Sequence, residues 1–184
     1  MIWIFLIPSA VILAGVFIYY FRPKKQLRTE SIYTHALNAM VRGDTRTALS
    51  HLRNVVKQDT NHINAYLQMG DILREEDNAQ AAIKIHQSLT VRPNLSNEVK
   101  RDIHKSLAID FEQLGNTTKA MGEAEIVLKL DRKNLWANEF LLKIFEQRRE
   151  WDKAMQTTKA IQKLKQSRDP NQIARFLVYQ GMDK

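Results

Sequence analysis

The chain has 184 residues, no cysteine and a formal net charge of +8 at neutral pH. The lack of cysteine excludes disulfides, thiolate zinc sites and a cysteine nucleophile. Four of the positive charges lie between residues 22 and 28, and the remaining charges of both signs are mixed along the chain. Because no stripe of basic and aromatic residues extends the basic cluster, we expect no nucleic-acid partner.

Residues 2–21 form the first distinct segment, which is apolar and contains no charged side chain. A helix of this length, rising 1.5 Å per residue, spans the hydrocarbon core of a bilayer, which is about 30 Å thick. Trp3 lies near one end and Tyr19 and Tyr20 near the other, as is typical of the two membrane interfaces. Positive charge follows the apolar run and no small-residue cleavage site appears. We therefore interpret residues 1–21 as an uncleaved transmembrane anchor and not as a signal peptide.

Residues 22–29 form a basic juxtamembrane tether, in which we expect the positive side chains to attract anionic membrane lipid. These side chains are Arg22, Lys24, Lys25 and Arg28. Since positive charge favours the cytoplasmic side of a membrane, the tether predicts a single-pass protein whose remaining chain faces the cytoplasm.

Residues 64–93 have the pattern of a helix, a tight turn and a second helix, with small residues at Gly70 and Ala82 where the two helices must approach closely. The pattern recurs, since the alanines of four second helices are separated by 34, 38 and 34 residues. These alanines are Ala48, Ala82, Ala120 and Ala154. A 34-residue period of helical pairs is the signature of tetratricopeptide repeats.

The fold prediction is therefore all-α. It consists of the transmembrane helix and then an α-solenoid of four tetratricopeptide repeats, with one extra C-terminal helix, over residues 30–184. The units are placed at about residues 30–59, 63–93, 97–131 and 134–166, with a partial unit at 170–184. The 38-residue step is explained by a longer loop at residues 93–96, after which Ser96 caps the next helix. We expect Asp44 and Asp169 to cap two other helices.

Residues capable of catalysis are present, but not in catalytic arrangements. The five histidines lack metal-ligand spacing and are interpreted as partly exposed packing residues; they are His35, His51, His62, His86 and His104. The acidic run at residues 75–77 reads as a solvated turn. No phosphate-binding loop, dinucleotide fingerprint or nucleophile elbow is found. We predict that the chain is not an enzyme and that it binds neither a cofactor nor a small-molecule substrate.

A tetratricopeptide array offers a concave groove lined by the first helix of each pair, which suits a peptide or a helix of a protein partner. Counting from the small residue in the middle of each first helix predicts a groove of mixed charge with two apolar points. The predicted groove residues are Asn64, Leu67, Asp71, Arg74, Lys105, Ile109, Glu112, Glu139, Lys143 and Glu146. The other interpretation is that these residues only form the solvated faces of helices.

Two stretches carry a more specific resemblance. Residues 81–115, AAIKIHQSLTVRPNLSNEVKRDIHKSLAIDFEQLG, and residues 135–154, LWANEFLLKIFEQRREWDKA, resemble the lipopolysaccharide assembly protein B (LapB) family in its N-terminal part. The short apolar N-terminus with its basic tail is similar as well. The resemblance implies a protein of the bacterial inner membrane with a cytoplasmic repeat domain. It also implies an adaptor that links the membrane-bound protease FtsH to its substrate, the deacetylase LpxC, and so regulates lipopolysaccharide synthesis.

The resemblance does not extend to a cofactor. LapB proteins continue to a rubredoxin-like zinc module with four cysteines, and because this chain has none, no metal is carried over. Three alternatives remain open. The chain is another repeat scaffold for envelope assembly or cytochrome maturation, an inactive truncated paralogue, or part of an enzyme or metal protein whose chemistry lies further along.

Overall fold

The computed structural model describes residues 25–183, and within that range nine α-helices alternate with short connections. The helices are α1 Lys25–Val41, α2 Thr45–Gln58, α3 Ile63–Glu75, α4 Ala79–Thr90, α5 Asn97–Gln113, α6 Thr117–Leu130, α7 Leu135–Gln147, α8 Trp151–Leu164 and α9 Pro170–Met182. The predicted all-α fold of helical pairs is confirmed. In the described part of the chain, no helix is both long enough and apolar enough to cross a bilayer. The predicted anchor, residues 1–21, lies outside the described residues.

The first compact unit, as far as it is described, contains α1 and α2. The two helices pack through small side chains, with Ala36 and Ala39 of α1 and Ala48 of α2 fully buried. Buried Thr29 donates a hydrogen bond from its hydroxyl to the Gln58 side chain, 3.4 Å away, and joins the start of α1 to the end of α2. Helix α1 therefore begins within the stretch that we predicted to be the tether.

The second compact unit contains α3 to α9. Successive helices pack against each other, and α3 also contacts α5, so that the first helices of the second and third pairs lie side by side. The core is built from apolar side chains of both helices in each pair, among them Leu89, Ile103, Leu107, Ala120, Ala124, Leu141, Ile144, Ala154 and Phe176. Most core positions recur at helical spacing, which is why one face of each helix is buried.

The turn within each complete pair contains one residue with a positive φ angle. These residues are Gly43, Asp77, Gly115 and Arg149, with φ angles of 74°, 59°, 71° and 57°. Their common place after the first helix is that of a left-handed C-terminal cap. The acidic side chains at residues 75–77 are exposed at one such turn, as predicted.

The longer connection between α4 and α5 covers residues 91–96, and it absorbs the additional residues of the 38-residue step as predicted. Ser96 accepts a hydrogen bond from the Val99 backbone N–H and caps α5. Asp44 caps α2 and Asp169 caps α9 in the same way, through the N–H groups of Thr47 and Asn171. The three predicted caps are confirmed.

Candidate protein-interaction surface

A polar network joins α3 to α5, the first helices of the second and third repeats. The Arg74 guanidinium donates from Nη1 to Oδ1 of Asp110, 2.9 Å away, and from Nη2 to Oδ1 of Asp71, 2.7 Å away. The Ser106 hydroxyl donates to the same oxygen of Asp71 over 3.2 Å. Two side-chain hydrogen bonds, Arg74 to Asp110 and Ser106 to Asp71, therefore fix the distance between the two helices, and the Arg74–Asp71 pair within α3 orients the guanidinium.

The network continues into α4 through His86, which is 0% exposed. Its Nδ1 lies 2.6 Å from Oδ2 of Asp110, and its Nε2 lies 3.2 Å from the backbone carbonyl oxygen of Leu67. Our prediction of a partly exposed packing histidine is wrong for His86. The reason lies in the buried carboxylate of Asp110, which requires hydrogen-bond partners for both of its oxygens. Arg74 contacts Oδ1, and His86 is buried because it contacts Oδ2.

Gly70 of α3 gives the imidazole ring of His86 its space. A Cβ atom at position 70 would lie 2.2 Å from Nε2 of His86, which is far inside van der Waals contact. Ala82, the second small residue of this pair, is fully buried in α4. The predicted close approach of α3 and α4 is confirmed. It is possible because Gly70 has no side chain and so leaves room for the His86 ring.

Electrostatics keep the Arg74 side chain charged. Burial would lower the pKa of the Arg74 guanidinium and is the largest single effect, but the hydrogen bond to Asp110 and the negative charge of Asp71 together outweigh it. The pKa of Arg74 is consequently raised above its ordinary value. Arg74 therefore remains a cation between two carboxylates at any physiological pH.

Four predicted groove residues of α5 and α7 take part in ion pairs with neighbouring helices; they are Glu112, Glu139, Lys143 and Glu146. The Lys143 ammonium of α7 lies 2.8 Å from Glu112 of α5. Glu146 of α7 pairs with Arg175 of α9. Glu139 pairs with Lys165 at the end of α8, over 2.6 Å. Each of these ion pairs thus joins an acidic side chain of one helix to a basic side chain of another.

Asn64 and Lys105 are exposed, and the Lys105 ammonium lies 5.3 Å from the ring centroid of Trp136 in α7. Ile109 is half-buried against the core. Leu67, in contrast, is 7% exposed and belongs to the core itself. It lies three residues before Gly70, on the helix face that packs against α4, so its side chain does not join the exposed ones.

The basic residues of the predicted tether are described only in part. Arg22 and Lys24 lie outside the described residues, Lys25 is the first residue of α1, and Arg28 is exposed on that helix. Within residues 25–183, no three side chains of the metal-binding types form a cluster that could hold an ion.

Our sequence reasoning missed three members of the network, namely His86, Ser106 and Asp110. A signal for one of them was present, because Asp110 lies between Ile109 and Phe111 in an otherwise apolar stretch of α5. A carboxylate in such a place predicts a buried partner. The partner itself was harder to identify, since His86 lies 24 residues earlier and in a different repeat.

No family model matches the chain. It is similar to lipopolysaccharide assembly protein B of Escherichia coli K12, at 24% identity over 78% of this chain and 37% of that protein. The protein of the same name from Haemophilus influenzae is 30% identical over 60% of this chain and 28% of its own length. The matched region therefore spans about a third of these relatives.

Solved structures with a similar fold include MamA, with a TM-score of 0.66 at 22% identity over 75% of this chain and 78% of that one. They also include YrrB, described as a tetratricopeptide repeat protein with an unusual peptide-binding site. Its TM-score is 0.62 at 12% identity, over 82% of this chain and 76% of its own. The chain thus has the fold of tetratricopeptide repeat proteins, and its predicted resemblance to lipopolysaccharide assembly protein B is confirmed at the level of sequence.

Proposed function

We propose that the chain is a non-catalytic scaffold for protein–protein interaction, and that the exposed side chains of α3, α5 and α7 bind a segment of a protein partner. The observation that carries this proposal is the network of Arg74, Asp71 and Asp110 with Ser106 and His86. It holds two first helices at a fixed distance before any ligand arrives. A preorganised surface avoids part of the ordering cost of binding.

The chemistry of the surface supports a folded or helical partner. Its charges are of both signs and are already paired between helices, as in Glu112 with Lys143. A uniformly charged tail would gain little from such a surface, because each attraction is offset by a neighbouring charge of the opposite sign. The surface also contains the Lys105 ammonium over the Trp136 ring. Aromatic residues, and cations placed over them, often contribute strongly to protein binding.

We further propose that the scaffold acts as an adaptor in the bacterial inner membrane, where it links the FtsH protease to the LpxC deacetylase. The support is the sequence similarity to proteins named for lipopolysaccharide assembly. Residues 1–21 would anchor the chain and the basic residues at 22–28 would orient the repeats towards the cytoplasm. Anchoring beside a membrane protease would raise the local concentration of whatever the surface binds.

Photo-crosslinking in the producing cells tests both levels of the proposal. A photoreactive amino acid is placed at Asn64 or Lys105, which are exposed on first helices, in the full membrane-inserted chain. Matched controls carry it at Lys84 or Lys129, which are exposed on the second helices α4 and α6. Mass spectrometry then identifies the crosslinked proteins, with FtsH and LpxC expected from the first-helix positions.

The outcomes separate the two levels. Crosslinks to one defined protein from the first-helix positions alone support the scaffold, and FtsH or LpxC among the products supports the adaptor. A defined product that is neither of these would overturn the adaptor and leave the scaffold standing. Equal crosslinking from first and second helices, or none, would contradict the proposed surface.

A further inference from the structure

A second surface, distinct from the first-helix surface, lies between α8 and α9. A cavity of about 470 Å³ opens there, with Lys159 and Lys163 of α8, Arg168 of the connection, and Ile173 and Leu177 of α9 among its lining residues. The two lysines are one helical turn apart, as are the two apolar residues. The cavity thus has an apolar wall along α9 and a cationic rim along α8 and the connection.

The cations of this rim make no ion pair within the described part of the chain. Among residues 25–183, no carboxylate lies within ion-pair distance of Lys159, Lys163 or Arg168. The nearest acidic residue in sequence, Asp169, is occupied as the cap of α9, where it accepts the Asn171 N–H. This differs from the first-helix surface, whose predicted acidic residues are all paired. The rim therefore presents positive charge that an acidic ligand can neutralise.

The apolar wall extends beyond the cavity along α9. Leu177 and Val178 are 56% and 59% exposed, and Ala174 and Val178 form a second row at i, i+4 spacing beside Ile173 and Leu177. From Pro170, which also lines the cavity, to Val178 the helix rises about 12 Å at 1.5 Å per residue. A small anion would cover only a fraction of this length. Two parallel rows at this spacing suit the ridges of another helix.

We propose that this surface, the α8–α9 surface, binds an amphipathic helix of a protein partner that carries an apolar stripe flanked by acidic residues. The apolar stripe packs on Ile173, Leu177 and Val178, and one large side chain fills the cavity. The acidic flank lies against Lys159, Lys163 and Arg168. Helix-in-groove recognition uses this combination of a few apolar anchors with complementary charge at the edge.

A synthetic pair of peptides tests the proposal with the full chain held in nanodiscs of zwitterionic phosphatidylcholine. Both labelled 18-residue peptides have leucine at i, i+3, i+4 and i+7 positions, and the remaining positions are glutamate in one and lysine in the other. Fluorescence anisotropy should detect binding of the acidic peptide and not of the basic one. The affinity should fall as salt is raised, because the rim is exposed to solvent.

Variants assign the binding to this surface. Lys159→Glu with Lys163→Glu should weaken binding of the acidic peptide at least tenfold, and Leu177→Ala should weaken it without changing the salt dependence. Lys129→Glu with Lys133→Glu, an equal charge change at exposed positions elsewhere in the same unit, should leave it unchanged. Circular dichroism checks that each variant remains helical.

Three results would overturn the proposal. One is equal binding of both peptides, and another is an equal loss of affinity in the two double variants, which would mean that only net charge matters. The third is binding to phosphatidylglycerol vesicles that depends on Lys159 and Lys163 while the acidic peptide does not bind. That result would assign the surface to anionic lipid instead of a protein helix.

Discussion

His86 of α4 contacts both α3 and α5. Its ring lies against Gly70 of α3, one ring nitrogen contacts the Leu67 carbonyl of α3, and the other contacts Asp110 of α5. A buried carboxylate such as Asp110 is stable only while its partners stay in place, because an unpaired buried charge carries a large desolvation penalty. The space at Gly70 is therefore a condition for the whole network.

Gly70→Ala should destabilise the second unit by on the order of 3 kcal/mol. The new methyl group would displace the His86 ring, which adds the cost of overpacking to that of leaving Asp110 without one partner. Urea unfolding followed by circular dichroism measures the change in the free energy of unfolding.

A double-mutant cycle with His86→Ala isolates this mechanism. His86→Ala alone should also cost about 3 kcal/mol, because it exposes the same carboxylate and leaves a void. Since both substitutions break the same contact, the double variant should cost clearly less than the sum of the two. Additive costs would mean that Gly70 is required for some reason other than the histidine ring.

Two other glycines should respond to alanine with opposite signs. Gly115 has a φ angle of 71° and nothing near its missing Cβ atom, so Gly115→Ala should destabilise by about 1 kcal/mol through backbone strain alone. Gly122 lies inside α6, also with open space around it, and Gly122→Ala should stabilise by about 0.5–1 kcal/mol. If urea unfolding showed that both substitutions change the free energy of unfolding in the same direction, backbone conformation would not explain the difference between the two glycines.

At the scale of elements, three of the four second helices begin with a side-chain cap. Asp44, Asn78 and Asn116 each accept a hydrogen bond from the backbone N–H three residues later. Glu150 occupies the same place before α8, but its side chain makes no cap bond and pairs with Arg148 and Lys153 instead. Helix α8 therefore begins with one donor unsatisfied by its cap.

Glu150→Asn should stabilise the second unit by about 0.5–1 kcal/mol, because an Asn at this position can accept the N–H group that Glu150 leaves free. The ion pairs lost with Arg148 and Lys153 contribute little, because the two cations are 41% and 59% exposed to solvent. Asn116→Ala, which removes an existing cap, is the matched control and should destabilise by a similar amount. A lower thermal midpoint for Glu150→Asn would show that the ion pairs outweigh the cap.

The elements were the part of the fold that local sequence could predict. The alanine spacing located the helical pairs, and the caps at Asp44 and Ser96 located two helix starts. Helix α1 begins at Lys25, earlier than the predicted first unit. The spacing of apolar residues could not predict this start, because the first turns of α1 are mostly polar and Thr29 is held by a hydrogen bond to Gln58.

The candidate surface was less predictable because it depends on contacts between repeats. Counting positions from Gly70 identified Asp71 and Arg74, which do belong to the network, but placed Leu67 on the same face although it is in the core. The pair of His86 and Asp110 follows from the packing of α4 against α5, which no spacing within one repeat encodes.

At the scale of the second unit, contacts are mostly between neighbouring helices, so stability is close to a sum of helix and interface terms. Helix α9 is the weakest member by this reasoning. It packs mainly against α8, and Phe176 is its one buried residue among those described. Phe176 is 1% exposed and stacks on Trp151 with ring centroids 6.3 Å apart.

Phe176→Ala should release α9 while α3 to α7 remain folded. Loss of a buried phenylalanine costs about 3–5 kcal/mol, which exceeds what the exposed ion pairs of Arg149 and Arg175 can supply. Hydrogen exchange followed by mass spectrometry should find the amides of residues 172–182 unprotected in this variant. Protection of residues 101–128 should be unchanged.

Val178→Ala on the same helix is the matched control, since Val178 is exposed and its loss should leave the exchange of α9 as it was. Because an array transmits stability only through adjacent interfaces, the effect of Phe176→Ala should fade within one helical pair. Equal loss of protection in α5 and α9 would mean that the second unit unfolds as one cooperative body. The α8–α9 surface would then be as rigid as the first-helix surface, and its partner would bind a preformed site instead of ordering the terminal helix.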